Sequence, residues 1–430
     1  MKIGVISLGC CKNLVDTERM LGYLRAAGFS FVADPQEADI LIVNTCGFIT
    51  PAKEESIATI FEMAAYKEQG NCRLLVVTGC LSERYRKELT EEMPEVDLFF
   101  GVHEYETMPR RICERLGLPL PAYAPHTPRI LATPPYSAYL RIGDGCNNRC
   151  TYCAIPIIRG PLHSEPMEAL VDEAKRLRDL GVTELSVIAQ DTSGYGRDLY
   201  GEPQLIPLLK ELDRIDGFQW IRLLYTYPDT VTPALLDTIA EGRHLVPYLD
   251  IPLQHCNDRI LKRMNRRGSK AHICSVLEHL YRNYPDFTLR TTLMLGFPGE
   301  TDAEFSELMQ FLRDYPFDRV GAFAFSPEEG TLAAEFPDQV EDSVKQARYD
   351  ALMTQQQEIS RQRNARWIGR ELTMLVEETG MDGTFGRTFR EAPDADGLVQ
   401  IAPSYRHEPG QYLTIRPISS DAYDMIGEEV

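Results

Sequence analysis

The stretch GDGCNNRCTYCAIP, Gly143 to Pro156, places Cys146, Cys150 and Cys153 in one short window with the spacing C-x3-C-x2-C. Three thiolates this close together can reach one inorganic cluster. A cluster kept only for structure or electron transfer commonly has four cysteine ligands. The window offers three, so one iron of a four-iron cubane keeps a position for a small molecule, as an open catalytic metal does. Zinc is the bland alternative. Structural zinc takes four ligands and favours paired C-x2-C units, and no second pair lies nearby.

Outward from the window, strands and helices alternate. Apolar runs predict strands at Tyr139–Ile142, Glu184–Gln190, Trp220–Tyr225, Pro247–Leu253, Thr288–Leu295 and Arg319–Phe325. The clearest helix between them is Met167–Leu180, where Met167, Leu170, Val171, Ala174 and Leu177 share a face and Gly181 supplies the stop. Six such units predict a partial or open β/α barrel, with its chemistry at the carboxyl ends of the strands.

The first ~115 residues alternate in the same way. Strands are expected at Ile3–Leu8, Ile40–Val43 and Leu74–Val77, and helices at Asp16–Ala27 and Glu54–Gln69. That pattern implies an open parallel sheet covered by helices. Pro119, Pro121, Pro125, Pro128, Pro134 and Pro135 mark a linker. Residues 341–366 read as a long polar helix. After Gly369 short strands at Glu371–Glu377, Leu398–Ala402 and Tyr412–Pro417 imply a small all-β domain. The fold class is therefore α/β with a C-terminal β unit. The units run 1–117, 136–366 and 367–430, with a Pro-rich linker at 118–135.

A second cysteine set is scattered in sequence. Cys10, Cys46 and Cys80 each follow a predicted strand, in KIGVISLGC, DILIVNTC and RLLVVTGC. The carboxyl ends of parallel strands share one edge, and ligands bind there, so the three thiols should converge. Gly9 and Gly79 suit backbone passing close to a bulky ligand. The plain alternative is three small buried residues, since free cysteine behaves as a core hydrophobe. Cys11, Cys72, Cys113, Cys256 and Cys274 fit no such pattern and are expected to pack or to lie at the surface, although Cys256 stands just after a barrel strand.

Bulk properties narrow the class. The chain has 430 residues, 43% hydrophobic and 25% charged, typical of a globular protein. It has no apolar run of about 18 residues to span a membrane, and its start resembles no secretory leader. A reducing cytoplasmic setting is expected, where eleven cysteines argue for cluster binding over disulfides. The net charge of −19 speaks mildly against a phosphate-gripping surface.

The C-x3-C-x2-C window, with Tyr152 before its last cysteine, resembles the radical S-adenosylmethionine superfamily. The order of units is similar to the methylthiotransferase family: three scattered cysteines, a radical core, then a β-barrel called TRAM. SLGCCKNLVDTE, CAIPIIRG, IAQDTSGYG, YLDIPLQH and LKRMNRRG are similar to its ribosomal-protein branch, RimO. That branch methylthiolates an aspartate β-carbon of small-subunit ribosomal protein S twelve. The resemblance implies two 4Fe-4S clusters, at Cys146/Cys150/Cys153 and at Cys10/Cys46/Cys80. It also implies S-adenosylmethionine, a reducing partner such as flavodoxin or ferredoxin, and a sulfur donor. The open iron of the first cluster would chelate S-adenosylmethionine, whose cleavage yields a hydrogen-abstracting radical. The second cluster would supply the sulfur. The tRNA branch typically has Gln-Met-Asn after its first cysteine, where this chain has Cys11-Lys12-Asn13; RimO usually has Pro in place of Cys11. Competing readings are a tRNA methylthiotransferase and a non-catalytic iron–sulfur protein.

Twelve acids against five arginines from Gly369 onward favour a basic protein partner over RNA, and no direct tRNA substrate is expected. Gly296, Gly299 and Glu300 resemble the turn bordering S-adenosylmethionine, together with Tyr152; an ordinary strand-to-helix connection is the alternative. Barrel logic nominates Gln190, Asp191, Gln254 and His255 at strand ends. His255 could equally be a hydrogen-bonded core residue. Arg159 is a candidate to meet a carboxylate, with a surface salt bridge as the plain alternative.

Overall fold

The computed structural model describes residues 1–122, 127–403 and 406–430. Pro125 of the proline run lies outside the described residues. Five parallel strands form the N-terminal sheet: β1 (Lys2–Ser7), β2 (Ser30–Phe31), β3 (Ile40–Thr45), β4 (Leu74–Gly79) and β5 (Leu98–Phe99), in the order β2-β1-β3-β4-β5. β3 and β4 are buried on both faces, which is why they read as unbroken apolar runs. Helices Cys11–Ala26 and Thr50–Gln69 cover the sheet. The first begins at Cys11, before the expected Asp16. Its first turn, CKNL, carries few apolar residues, yet Lys12 and Asn13 are buried.

The proline-rich segment does not hang free where it is described. Arg129 pairs with Glu18 at 2.8 Å, and Glu18 accepts the Ala132 N–H at 2.8 Å, so residues 129–132 run along the first helix.

The core follows. β6 (Ser137–Arg141) leads into a small hairpin, β7 (Gly143–Asp144) with β8 (His163–Ser164), that brackets the three-cysteine window. β9 (Glu184–Ile188) and β10 (Trp220–Leu223) extend one parallel sheet, β10-β9-β6. β11 (Tyr248–Asp250), β12 (Thr288–Leu295) and β13 (Arg319–Ala324) form the other. Ile221 donates to His244 and Val246 donates to Ile221, at 2.7 and 3.0 Å, which joins the two into one six-stranded partial barrel. All six expected strands are present, several shorter at their ends. The main apolar core packs between these strands and the outer helices, with Leu140, Val187, Leu223, Leu249 and Leu293 meeting Leu170, Leu209, Leu277 and Leu312.

The C-terminal unit is a closed five-stranded barrel of β14 (Leu372–Thr379), β15 (Thr384–Thr388), β16 (Val399–Ile401), β17 (Tyr412–Ser420) and β18 (Met425–Glu429). Trp367, Met374, Ile415 and Met425 fill it. β15 and β18 were not expected, because TFGRT and DMIGEEV carry too few apolar residues to register as strands.

This unit closes the floor of the partial barrel. Its 387–396 segment sits at the amino ends of the core strands: Arg387 pairs with Glu184, Arg222 donates to the Phe389 carbonyl at 2.6 Å, and Arg319 pairs with Glu391 at 3.0 Å. Tyr139 and Tyr248 donate to Asp394 and Asp396 at 2.8 and 2.6 Å. Helix Asp342–Ala365 completes the join. It looks polar because its buried side is polar: Arg363 pairs with Asp318, and Asn364 accepts from both Arg319 and Arg390.

Removing one member of a fully buried pair strands the other. Arg387→Ala leaves Glu184, wholly buried, without its main partner. Urea unfolding should show a loss of about 3–5 kcal/mol. A loss under about 1 kcal/mol, the scale of a surface pair, would contradict the floor-sealing role.

Candidate active site

The sheet register brings Cys10, Cys46 and Cys80 together. Ser7 stands opposite Asn44, and Asn44 opposite Thr78, so three chain segments leave the same edge side by side. Asn13 straps two of the exits, donating to the Leu8 and Thr45 carbonyls at 2.7 and 3.2 Å. Ser56 exchanges hydrogen bonds with the Cys46 backbone. At Gly9 (φ +89°) a Cβ would lie 2.9 Å from the Cys46 Cβ, and at Gly79 (φ +95°) one would lie 2.3 Å from Asn44 Oδ1. Both glycines thus let the cysteine-bearing segments approach one another. Burial pushes the Cys80 thiol up to about 12; Arg159 opposes that, and the neighbouring Cys10 and Cys46 add to it.

Cys146, Cys150 and Cys153 converge beyond the carboxyl end of β6. Burial, then Cys150 and Cys146, raises the Cys153 thiol to about 12; burial, Asp191 and Cys150 raise Cys146 to about 11. The segment Met264–Arg267 clamps this window. Thr151 bonds to the Met264 and Arg263 carbonyls at 3.0 Å, and Asn265 donates to the Arg149 carbonyl at 2.8 Å. The buried Arg266 donates to Cys150 Sγ at 3.7 Å and to Tyr152 Oη at 3.1 Å. LKRMNRRG entered the sequence reading only as a matching motif, so the contact of Arg266 with the window was missed.

Among the described residues no group of three or more His, Cys, Asp or Glu side chains closes on one point as a single-ion site does. In each triplet two thiols are raised by burial and by their neighbouring cysteines, Cys46 and Cys80 in one and Cys146 and Cys153 in the other, and a buried arginine lies against one sulfur. That donor set fits a cluster whose separate irons each take one thiolate.

A buried ionic joint connects the two triplets. Arg159, at the end of the short helix Ile155–Arg159 that follows Cys153, pairs with Asp16 at 2.8 Å and Asp144 at 3.0 Å. It also donates to Cys80 Sγ at 3.4 Å. Arg141 reaches Asp16 and Asp144 as well, and Gln190 donates to Asp144 at 2.6 Å. Burial favours the neutral form of Asp144, but Arg141 and Arg159 outweigh it and hold the carboxyl at about 2. Arg159 is thus neither a surface ion pair nor a free carboxylate clamp. A second bridge is Tyr225, in left-handed backbone (φ 61°), whose hydroxyl lies 3.5 Å from Cys11 Sγ and whose ring lies 2.8 Å beneath Lys12 Nζ.

The other nominated residues divide. Asp191 accepts from Asn148 at 2.7 Å and so ties the cysteine window to the end of β9. Gln190 and Gln254, after β9 and β11, keep buried carbonyl oxygens with no hydrogen-bond partner; Gln254 is also left-handed (φ 70°). Tyr152 meets Phe297 edge-on at 6.5 Å, which sets the Gly296–Glu300 turn beside the window. Glu300 braces that turn, accepting from the Gly296 N–H at 2.8 Å and pairing with Arg348 at 3.0 Å, and Lys345 packs against Gly296. Gly299 (φ +78°) has the Arg263 guanidinium 3.2 Å from where its Cβ would be. His255 is wholly buried; Nδ1 accepts from the Asn257 N–H at 2.9 Å, and burial lowers its pKa to about 4. Glu304 and Glu307 lie near enough to oppose that shift, and Nε2 is buried with no hydrogen-bond partner. Cys256 belongs to the main apolar core. A cavity of about 1110 Å³ runs between the N-terminal unit and the core behind the joint; Asp144 and Arg159 line it, but none of the six cysteines does.

An open α/β sheet, a partial β/α barrel with a three-cysteine window at its mouth, and a small β-barrel together define a radical S-adenosylmethionine enzyme. Three family matches span the chain: the uncharacterized protein family UPF0004 at residues 2–101, the radical SAM superfamily at 140–312 and the TRAM domain at 368–430. The ribosomal protein uS12 methylthiotransferase RimO of Pelotomaculum thermopropionicum is 47% identical over 100% of this chain and 99% of its own. That of Geobacter sulfurreducens is 46% identical over 99% and 98%. The chain therefore belongs to the RimO family of radical SAM methylthiotransferases, enzymes that work with 4Fe-4S clusters and S-adenosylmethionine. Solved structures share the fold at lower similarity. The radical S-adenosylmethionine methyltransferase TsrM from Kitasatospora setae aligns with a TM-score of 0.56 and 13% identity over 75% of this chain and 72% of its own. The cobalamin-dependent S-adenosylmethionine radical enzyme OxsB aligns with 0.52 and 12% over 83% and 56%.

The turn at Gly296 carries a pH signature. Burial raises Glu300 from 4.5 to about 7, against the pull of Arg348 and two backbone N–H groups. The folded chain therefore holds this proton where the unfolded chain has lost it. The stability this confers is complete below about pH 4.5 and is lost as pH rises through 7. Glu300→Gln should match wild type in melting temperature at pH 5 and exceed it at pH 8. Equal melting temperatures at both would show that Glu300 is ionised throughout.

Proposed function

We propose that the chain methylthiolates the β-carbon of an aspartate in ribosomal protein uS12. It would use two 4Fe-4S clusters, one held by Cys146, Cys150 and Cys153 beside S-adenosylmethionine, the other held by Cys10, Cys46 and Cys80 as the sulfur-donating side. The observation that carries this reading is the Arg159 joint, which ties the helix leaving the first triplet to a sulfur of the second. When bound, these cofactors supply radical hydrogen abstraction and sulfur insertion, chemistry that an unactivated carbon denies to an acid–base enzyme.

The chain's own residues place and shield. Arg266 and Tyr152 hold the Cys150 side of the window, and Asp191 holds Asn148. Gln190 and Gln254 offer unpaired carbonyl oxygens to donors of a bound ligand. Gly296 and Gly299 shape the turn that borders S-adenosylmethionine, and Glu300 braces it from behind. His255 keeps a buried Nε2 that is likewise without a partner. The units 1–117, 136–366 and 367–430 carry the second cluster, the radical chemistry and the floor, and residues 118–135 connect the first two.

A protein substrate suits the C-terminal barrel. Arg387 and Arg390 are buried in ion pairs, Arg370 pairs with Asp286, and Arg416 pairs with Glu371. These arginines are engaged rather than presented to phosphates, and acids predominate on the outer face. Such a surface complements a basic ribosomal protein. The reaction also needs a low-potential reductant such as flavodoxin or ferredoxin and a sulfur donor. No described helix is long and apolar enough to cross a membrane, and the substrate puts the reaction in the cytoplasm.

Reconstituted enzyme, S-adenosylmethionine and reductant should be presented in parallel with uS12 and with tRNA. Intact-mass analysis should show one hydrogen of uS12 replaced by a methylthio group, located at an aspartate, and tRNA unchanged. A gain on tRNA alone would overturn the assignment.

A further inference from the structure

Arg159 does more than join two units. Its side chain is wholly buried, yet it stands where a cluster ligand is expected. One guanidinium nitrogen serves Asp144 and the other serves Asp16, with Cys80 Sγ 3.4 Å from the second and Asn13 Oδ1 at 3.5 Å. Asp16 belongs to the helix that begins at Cys11, and Asp144 lies in β7, ahead of Cys146. The guanidinium is therefore pinned from both sides and cannot turn from the sulfur without breaking a buried ion pair. Asp16 and Asp144 are shared with Arg141, so neither carboxylate neutralises Arg159 alone.

A hydrogen bond and a positive charge at a ligating sulfur withdraw electron density from it. Hydrogen bonds to the sulfurs and local charge are the protein's main controls on cluster potential. At the other triplet Arg266 contacts Cys150 from 3.7 Å and shares its donors with Tyr152 and the Pro252 carbonyl.

We propose that Arg159 is a positioning residue that sets the reduction potential of the cluster at Cys10, Cys46 and Cys80, holding it above the value it would take without the guanidinium. Because the same residue ends the helix leaving the Cys153 side, it also ties the two cysteine triplets to each other. This inference rests on the two-cluster reading above.

The test is an anaerobic redox titration, followed by electron paramagnetic resonance, of full-length reconstituted enzyme as wild type, Arg159→Lys and Arg159→Gln. Iron is counted on each sample first. A wild type holding one cluster defeats the two-cluster reading itself, apart from any role of Arg159. With both clusters present, Arg159→Gln should shift one midpoint potential downward and leave the other in place. Arg159→Lys, which keeps a charge and a donor, should fall between. Unchanged potentials in an Arg159→Gln protein that keeps both clusters would overturn the proposal. Should Arg159→Gln lose the second cluster, Arg159→Lys decides: a shifted midpoint supports the role, and a wild-type midpoint sinks it.

Discussion

The buried joint of Arg159, Arg141, Asp16 and Asp144 is the contact on which the rest of the arrangement depends. Two arginines and two carboxylates are removed from water together. Desolvation makes such a set costly unless each charge meets partners in good geometry. Here Asp144 meets both arginines and the Gln190 amide, and Arg159 meets two carboxylates and a sulfur. A hydrophobic contact of the same area would hold the two units together without fixing their relative orientation. Ionic pairs with directional hydrogen bonds fix orientation, and a reaction between groups on two units needs that.

The opposite end of the barrel follows the same logic. The C-terminal unit reaches the core mainly through charged and polar groups, Arg387 to Glu184, Arg319 to Glu391 and Tyr248 to Asp396. A chain of contacts continues upward: Asp396 faces Arg290, Arg290 pairs with Asp250, and Asp250 accepts the Tyr225 N–H at 2.9 Å. Tyr225 is the left-handed residue that touches Cys11 and Lys12. The floor unit thus bears on the mouth through the barrel's polar interior. This accounts for arginines and aspartates within strands that an apolar pattern alone would not require.

Much of this was legible in the sequence. Apolar runs located nine of the parallel strands, most clearly β3 and β4, which are buried on both faces and have no polar alternation to obscure them. The strand-then-cysteine placement led correctly to one shared edge for Cys10, Cys46 and Cys80. What escaped was whatever depends on pairs distant in sequence. Arg159 read as a candidate to meet a carboxylate, but nothing near it in the chain announces that its partners are Asp16, Asp144 and Cys80. Residues 341–366 read only as a long polar helix, because the buried side is made of Lys345, Arg348, Gln356 and Arg363. His255 and Cys256 drew attention by following a strand, and the fold packs Cys256 into the main apolar core. Arg266 was within a quoted motif, but its approach to Cys150 depends on the left-handed turn at Asn265 (φ 53°), which composition does not reveal.

Two clusters on two separate sets of three cysteines are what we propose for this chain. The most direct measurement is iron and inorganic sulfide per chain after anaerobic reconstitution, for wild type beside a variant with Cys10, Cys46 and Cys80 all changed to Ala. The account predicts about eight irons in the first and about four in the second, the stoichiometry of two cubanes and one. About four irons in both would mean that the N-terminal cysteines hold nothing, and the account would be wrong.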